Sequence, residues 1–325
     1  MPRSGSDPYA RPVVADPWDF DYRLEPAAVA EVARVCGFTG PTRYLDEGWD
    51  YATYFCDGHI LRIPKRAESA SILGAEHRLL RSLPTGLSLQ TPRPFAELVA
   101  APDLPYAVLV YPFIDGTALD GTALYDFDLD APGRPDPGSV GAQIGRFLAE
   151  VHPLLEVALA ENIADDDRTD DDQPDDDPEW FDEASVKLDA LRPLIGASLS
   201  NLVRHRLDRA PPAFDGTRRG CHGDLAAEHI LVDANGIAIA VIDWADARTA
   251  PWWIDFVGLW MWGGDTALAG AVSEYGRTPD PVEHAHLTRR GLMAAVVECD
   301  YELQARPEVW RDRVAPYLQR LVSSD

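Results

Sequence analysis

The stretch that most narrows what this chain can fold into runs from His222 to Trp244. It opens with His222-Gly223-Asp224 and reaches His229 five residues after Asp224. It closes on Ile242-Asp243-Trp244, with Asp243 nineteen residues after Asp224. Between these points lie Ile230 to Val232, an Asn235-Gly236 pair, and Ile237 to Ile242. Two short apolar runs either side of an Asn235-Gly236 turn predict a β-hairpin, because Asn-Gly between β-branched runs is a strong turn signal. A hairpin carries the chain out and back, so His229 at its start and Asp243 at its end are predicted to face one site together with Asp224.

Such a grouping suits phosphoryl transfer, where one carboxylate orients an acceptor hydroxyl and further ligands hold magnesium on a nucleotide. Protein kinases meet that need with H-R-D-x-x-x-x-N followed by D-F-G; here Gly223 replaces the arginine and His229 replaces the asparagine. With those departures the segment resembles the aminoglycoside phosphotransferase family, the antibiotic-kinase branch of the protein-kinase-like fold, in which HGD replaces HRD and IDW commonly replaces DFG. Histidine at the fifth position looks like the macrolide kinases and the aminoglycoside enzymes that act on a 2″ hydroxyl. The resemblance covers about residues 40 to 265. It implies an α+β, bilobal protein-kinase-like fold, with an antiparallel β-sheet N-terminal lobe over residues 1–111 that binds nucleotide. A hinge at 112–116 would lead to a mainly helical C-terminal lobe over 117–325 that carries catalysis and acceptor binding.

The N-terminal part reads consistently with this. Tyr51 to Phe55 and His59 to Ile63 are aromatic and β-branched runs joined by Asp57-Gly58, which predicts a hairpin ended by Pro64. From Glu68 to Leu83 the pattern turns helical, with Ile72, Leu73, Leu79, Leu80 and Leu83 on one stripe. Glu76 sits inside that stripe, and a buried carboxylate is costly unless a cation reaches it. Arg62 on the second strand is the first candidate and Lys65 the second. By resemblance this is the ion pair that orders nucleotide phosphates in kinases, and Ile60-Leu61-Arg62-Ile63-Pro64-Lys65-Arg66 looks like the matching strand of macrolide kinases. No G-x-G-x-x-G precedes the hairpin, and Gly48 is the lone glycine where a phosphate-covering loop should lie. Tyr106 to Tyr111 reads as a buried strand, after which Pro112-Phe113-Ile114-Asp115-Gly116 is a connector. The resemblance implies that Tyr111, Phe113 and Ile114 lie at the nucleotide base, with Tyr111 limiting pocket depth.

The resemblance further implies roles at the site. Asp224 is the carboxylate at the acceptor hydroxyl, and Asp243 is the principal ligand of Mg2+, which prefers hard oxygen donors. His229 binds the metal, a metal-bound water or phosphate. His222 orients the loop through a backbone hydrogen bond, and Asp255 in Pro251-Trp252-Trp253-Ile254-Asp255 binds backbone donors of that loop. Trp244, Trp252, Trp253, Trp260 and Trp262 read as core. Val140 to His152 and Glu183 to Leu207 are predicted helices, with more helix from Trp253 onward.

Bulk properties exclude other classes. A net charge of −25 disfavours nucleic acid and anionic membranes as partners, because binding polyphosphate needs basic surface; it suits a cationic substrate. There is no apolar run long enough for a signal peptide or a membrane span, so a cytoplasmic protein is expected. Cys36, Cys56, Cys221 and Cys299 are scattered without paired spacing, as expected of reduced thiols. The acidic run Asp165 to Asp177 reads as a solvated loop. The expectation is a monomeric antibiotic phosphotransferase that moves the γ-phosphate of ATP or GTP to a hydroxyl of an aminoglycoside or macrolide. The alternatives are a metabolic kinase of the same fold, of choline, homoserine or sugar type, and a non-catalytic nucleotide-binding module.

Overall fold

The computed structural model describes residues 20–119, 135–162, 178–214 and 216–323. The acidic run and the first nineteen residues lie outside them. The described residues open with helix α1 (Pro26–Val35), then strands β1 (Arg43–Glu47), β2 (Tyr51–Cys56) and β3 (His59–Pro64), helix α2 (Ala67–Ser82) and strand β4 (Leu109–Pro112). These strands form one antiparallel sheet in the order β1-β2-β3-β4. The β2–β3 turn is the expected one, with positive φ at Asp57 (46°) and Gly58 (74°).

Every residue of β3 after His59 is buried, because successive side chains point to opposite faces and both faces are covered. Leu61 and Ile63 join Val29, Val32 and Ala33 of α1 and Val108 and Val110 in one cluster. Ile60 joins Tyr51, Leu73 of α2, Leu109 and Tyr111 in the other. Arg62 falls on the α2 side by the same alternation, and the sequence thereby delivers a guanidinium to Glu76. The strand read from Tyr106 is shorter than expected. Only Leu109–Pro112 pairs with β3, while Val108 turns aside to bridge Val99.

Strand β5 (Thr117–Ala118) follows the connector, then helices α3 (Pro137–Asn162) and α4 (Pro178–Asp208), which runs through a kink at Gly196. Strands β6 (Arg218–Cys221), β7 (Ile230–Val232), β8 (Ala238–Val241) and β9 (Arg248–Pro251) come next. They make two small sheets, β5-β7-β8 and β6-β9, and residues 222–229 run from β6 of one to β7 of the other. A short 3-10 helix (Trp252–Phe256) leads into helices α5 (Val257–Tyr275), α6 (Pro281–Ala305), α7 (Pro307–Trp310) and α8 (Val314–Ser323). Their apolar faces meet α2, α3 and α4 in the largest core, which includes Trp244, Trp252, Trp253, Trp260 and Trp262. Each of these five is at most 2% exposed, as expected of core residues. Among the described residues no helix is long and apolar enough to cross a membrane.

Candidate active site

Arg62 is the centre of the site. One guanidinium nitrogen donates to Glu76 Oε1 at 2.6 Å and the other to Asp243 Oδ1 at 2.8 Å. The Tyr51 ring supports the guanidinium at 4.2 Å, where a desolvated cation gains from the aromatic face. The backbone N–H of Trp244 also donates to Glu76 Oε1, at 3.2 Å. Lys65, the second candidate, turns the other way and pairs with Glu47 Oε1 of β1 at 2.7 Å.

One cation thus serves two carboxylates, and they divide its effect unequally. Burial pushes the Glu76 carboxyl up to about 7, against the pull of Arg62. Burial works in the same direction on Asp243, but Arg62 and then His229 overcome it and hold that carboxyl at about 2. Glu76 Oε2 has no hydrogen-bond partner among the described residues. Asp243 also carries backbone strain, with φ of 61°. A non-glycine residue persists in the left-handed region only where surrounding bonds hold it there. Here those bonds are Arg62 on its side chain and, one residue earlier, the Ile242 N–H to the His229 carbonyl at 2.9 Å.

The His222-Gly223-Asp224 segment is fixed by Asp255. Its Oδ2 accepts from the His222 N–H at 2.8 Å and its Oδ1 from the Gly223 N–H at 2.8 Å. His152 Nε2 of α3 donates to Oδ2 at 3.0 Å, and the Tyr275 hydroxyl meets His152 Nδ1 at 2.9 Å. Burial opposes ionisation of Asp255, yet these donors, His152 foremost, hold its carboxyl below the ordinary value. His222 lies in the core, where burial lowers its pKa. As a neutral ring it donates from Nε2 to the Ile242 carbonyl at 3.0 Å, which fastens the loop to the return strand.

Gly223 explains the missing arginine. Its φ is 87°, and a Cβ would fall 2.2 Å from the Asp246 carbonyl oxygen. Asp224 is left with 56% of its side chain exposed, at the open side of the loop. His229 Nδ1 donates to the Asp224 backbone carbonyl at 2.7 Å, which aims Nε2 at Asp243 Oδ2, 3.7 Å away. Burial lowers the His229 pKa, but Asp243, Asp224 and Glu228 more than compensate and lift it to about 9. The structure therefore brings Arg62, Glu76, Asp224, His229 and Asp243 into one constellation.

Of the connector residues, Tyr111 is 7% exposed and packs beside Ile60 and Leu73. Phe113 presents its ring to Phe55 edge-on, with centroids 5.5 Å apart, and donates its backbone N–H to the Gly58 carbonyl at 2.8 Å. Ile114 is half-buried. Cys221 beside the loop is buried, and its thiol is pushed up by that burial, which suits packing rather than nucleophilic chemistry.

A buried arginine–glutamate pair under an antiparallel sheet, joined to helices that carry an HGD loop and a strained aspartate, belongs to the kinase-like fold of phosphotransferases. Residues 42–287 match the sequence model of the phosphotransferase enzyme family, and the chain belongs to that family. The fold is similar to that of an APH(2″) enzyme solved with GDP and kanamycin, at 18% identity and a TM-score of 0.64, over 93% of this chain and 100% of that chain. It is also similar to the macrolide 2′-phosphotransferase MphH of Brachybacterium faecium, at 20% identity and a TM-score of 0.56, over 90% of this chain and 97% of that chain. At these identities the likeness is one of fold. YcbJ, an uncharacterised protein of Bacillus subtilis (strain 168), is 25% identical over 207 residues, which are 61% of each chain.

Proposed function

We propose that this protein is an antibiotic phosphotransferase, passing the γ-phosphate of ATP or GTP to a hydroxyl of an aminoglycoside or macrolide. The observation that carries the reading is the placement of Asp224: exposed, next to His229, and across from Asp243, itself tied through Arg62 to Glu76. Asp224 accepts and orients the acceptor hydroxyl. Asp243 fits as the principal Mg2+ ligand, because its carboxylate stays ionised and its Oδ2 lies outside the Arg62 bond. Bound there, magnesium would neutralise charge on the transferring phosphate. The Asp243 carboxylate is the chief group that raises the His229 pKa, so magnesium on Asp243 would weaken that effect. The His229 ring would stand beside the phosphate oxygens or hold a metal-bound water.

Arg62 is the phosphate-ordering cation and Glu76 its anchor. The nucleotide base lies against the connector at 112–116, which divides an N-terminal lobe, 1–111, from a C-terminal lobe, 117–325. Tyr111 limits the depth of that pocket. The Phe113 N–H is engaged by Gly58, so the alternation of an extended backbone favours the Ile114 N–H as the donor to the base. The net charge of −25 suits a cationic acceptor.

The test is phosphate transfer by purified protein to kanamycin, gentamicin, streptomycin and a macrolide, each with ATP and with GTP. Transfer to choline, homoserine or a sugar in their place would move the protein to the metabolic branch. Asp224→Asn is expected to bind nucleotide normally while turnover falls roughly 10²-fold or more, the usual contribution of a general base. Undiminished turnover in this variant would remove Asp224 from the chemistry.

A further inference from the structure

The bonds that run from the Gly223 N–H through Asp255 and His152 to the Tyr275 hydroxyl end at a recess of about 280 Å³. His152 and Tyr275 form part of its wall, together with Arg219 of β6 and Arg277, which lies just past the end of α5. Among the described residues no carboxylate lines it. In a chain with 54 acidic residues against 29 lysines and arginines, a wall whose fixed charges are two guanidiniums runs against the composition. None of Arg62, Asp224, His229 or Asp243 lines it, so binding there does not depend on the acceptor.

Both guanidiniums are held, and neither is used up. Arg277 donates from Nη2 to Glu283 Oε1 at 2.6 Å and lies over the Trp252 ring, 4.5 Å from its centroid. Glu283 is buried and also accepts from the Trp252 indole N–H at 2.8 Å, so Arg277 stands on a fixed base. Arg219 donates from Nη1 to Glu156 Oε1 at 3.0 Å. Both side chains of that pair are more than a third exposed, and water weakens such a bond. Each bond takes one nitrogen of a group that carries five N–H donors. A guanidinium fork set in advance takes up an oxyanion with little further loss of freedom.

We propose that this recess is a binding site for a small dianion, with one oxyanion group at Arg219 and the other at Arg277. Its volume lies just below the roughly 300–1,000 Å³ of pockets for drug-sized ligands, which suits a diphosphate or a short dicarboxylate. Two guanidiniums carried on separate elements favour two charges over one. Such an occupant would link β6, which runs straight into His222, to the segment after α5, whose Tyr275 braces His152.

Isothermal titration of the full chain with pyrophosphate and with succinate tests the site, with acetate as the singly charged control. At least one dianion should bind at millimolar concentration or tighter. Acetate should bind about tenfold more weakly, and Arg219→Gln and Arg277→Gln should each weaken the dianion about tenfold or more, the scale of one charged hydrogen bond. Glu156→Gln, which releases Arg219 from its competitor, should tighten binding severalfold, a gain that damage to the fold does not produce. The bound dianion should raise the Tm of wild type and leave that of Arg219→Gln unmoved. If Arg277→Gln does not fold, Arg219→Gln and Arg219→Glu carry the test, because that pair lies at the surface. Binding of pyrophosphate alone assigns the site to phosphates, and binding of succinate alone assigns it to carboxylates. No binding of either dianion, or binding that the Arg219 and Glu156 variants leave unchanged, overturns the site.

Discussion

Glu76 and Asp255 are both buried carboxylates, and the molecule satisfies them differently. Asp255 has both oxygens bonded, by two backbone N–H groups and a histidine, and stays ionised below its ordinary pKa. Glu76 uses a single oxygen, shares its cation with Asp243, and rises to about 7. A fully bonded carboxylate is a fastening: it holds the His222-Gly223-Asp224 loop in one shape. A carboxylate with an unused oxygen and a shared cation lies close to exchange, which would serve the phosphate-ordering role proposed for Arg62 if it leaves Asp243 for phosphate.

The largest test of this contrast is Asp255→Asn, which leaves buried donors facing an amide. It should cost roughly 3 kcal/mol or more of stability, the scale of breaking a buried charge pair, and turnover should fall with it. Urea unfolding measures the first, and a loss below about 1 kcal/mol would show that the loop is held by other bonds. Arg62→Ala should cost less, about 2 kcal/mol, because Glu76 can take up a proton instead of remaining a stranded charge. Arg62→Met combined with Glu76→Leu should regain stability in the same assay without regaining activity. An equal cost for Arg62→Ala and Asp255→Asn would erase the distinction.

The pH dependence sharpens it further. Because the folded pKa of Glu76 is raised from 4.5 to about 7, the stability this group contributes is full below about 4.5 and is lost as pH rises through about 7. Glu76→Gln removes that loss, so its stability relative to wild type should improve as pH rises across this window. Asp255→Asn should show no such drift, because the Asp255 carboxyl is depressed below 3.8 and its contribution fades only in stronger acid. Parallel pH profiles for the two variants would contradict the contrast. The smallest effect belongs to Lys65→Ala. Its partner Glu47 is 36% exposed, so a change near 1 kcal/mol or less is expected in thermal melts, and a larger one would make Lys65 part of the buried network.

The sequence makes the local features readable and leaves the distant ones hidden. The Asp57-Gly58 and Asn235-Gly236 turns, the α2 stripe and the burial of Glu76 follow from composition over a few residues, and Arg62 follows from the charge that Glu76 demands. The β6–β9 pairing does not, because Arg-Arg-Gly-Cys and Arg-Thr-Ala-Pro lack any alternation of apolar residues. Strand β1 carries no marker either, since it is short and largely exposed, and helix α1 goes unread with it. The HGD and IDW motifs point to the site residues, but not to the Arg62–Asp243 bond, which joins segments far apart in the chain. Gly223 offers a signal in retrospect: a glycine between two polar site residues marks a backbone approach too close for a side chain.

Gln90, in the segment after α2, donates its N–H to the Ile239 carbonyl and accepts from the Val241 N–H, both at 2.9 Å. The segment that follows the Glu76 helix is thereby sewn alongside β8, two positions before Asp243. In hydrogen-exchange terms the amides of Gln90 and Val241 should open together, as one cooperative unit. Opening of the segment after α2 should then loosen the Asp243 hairpin with it, and separate exchange of these two amides would show that the two segments open independently.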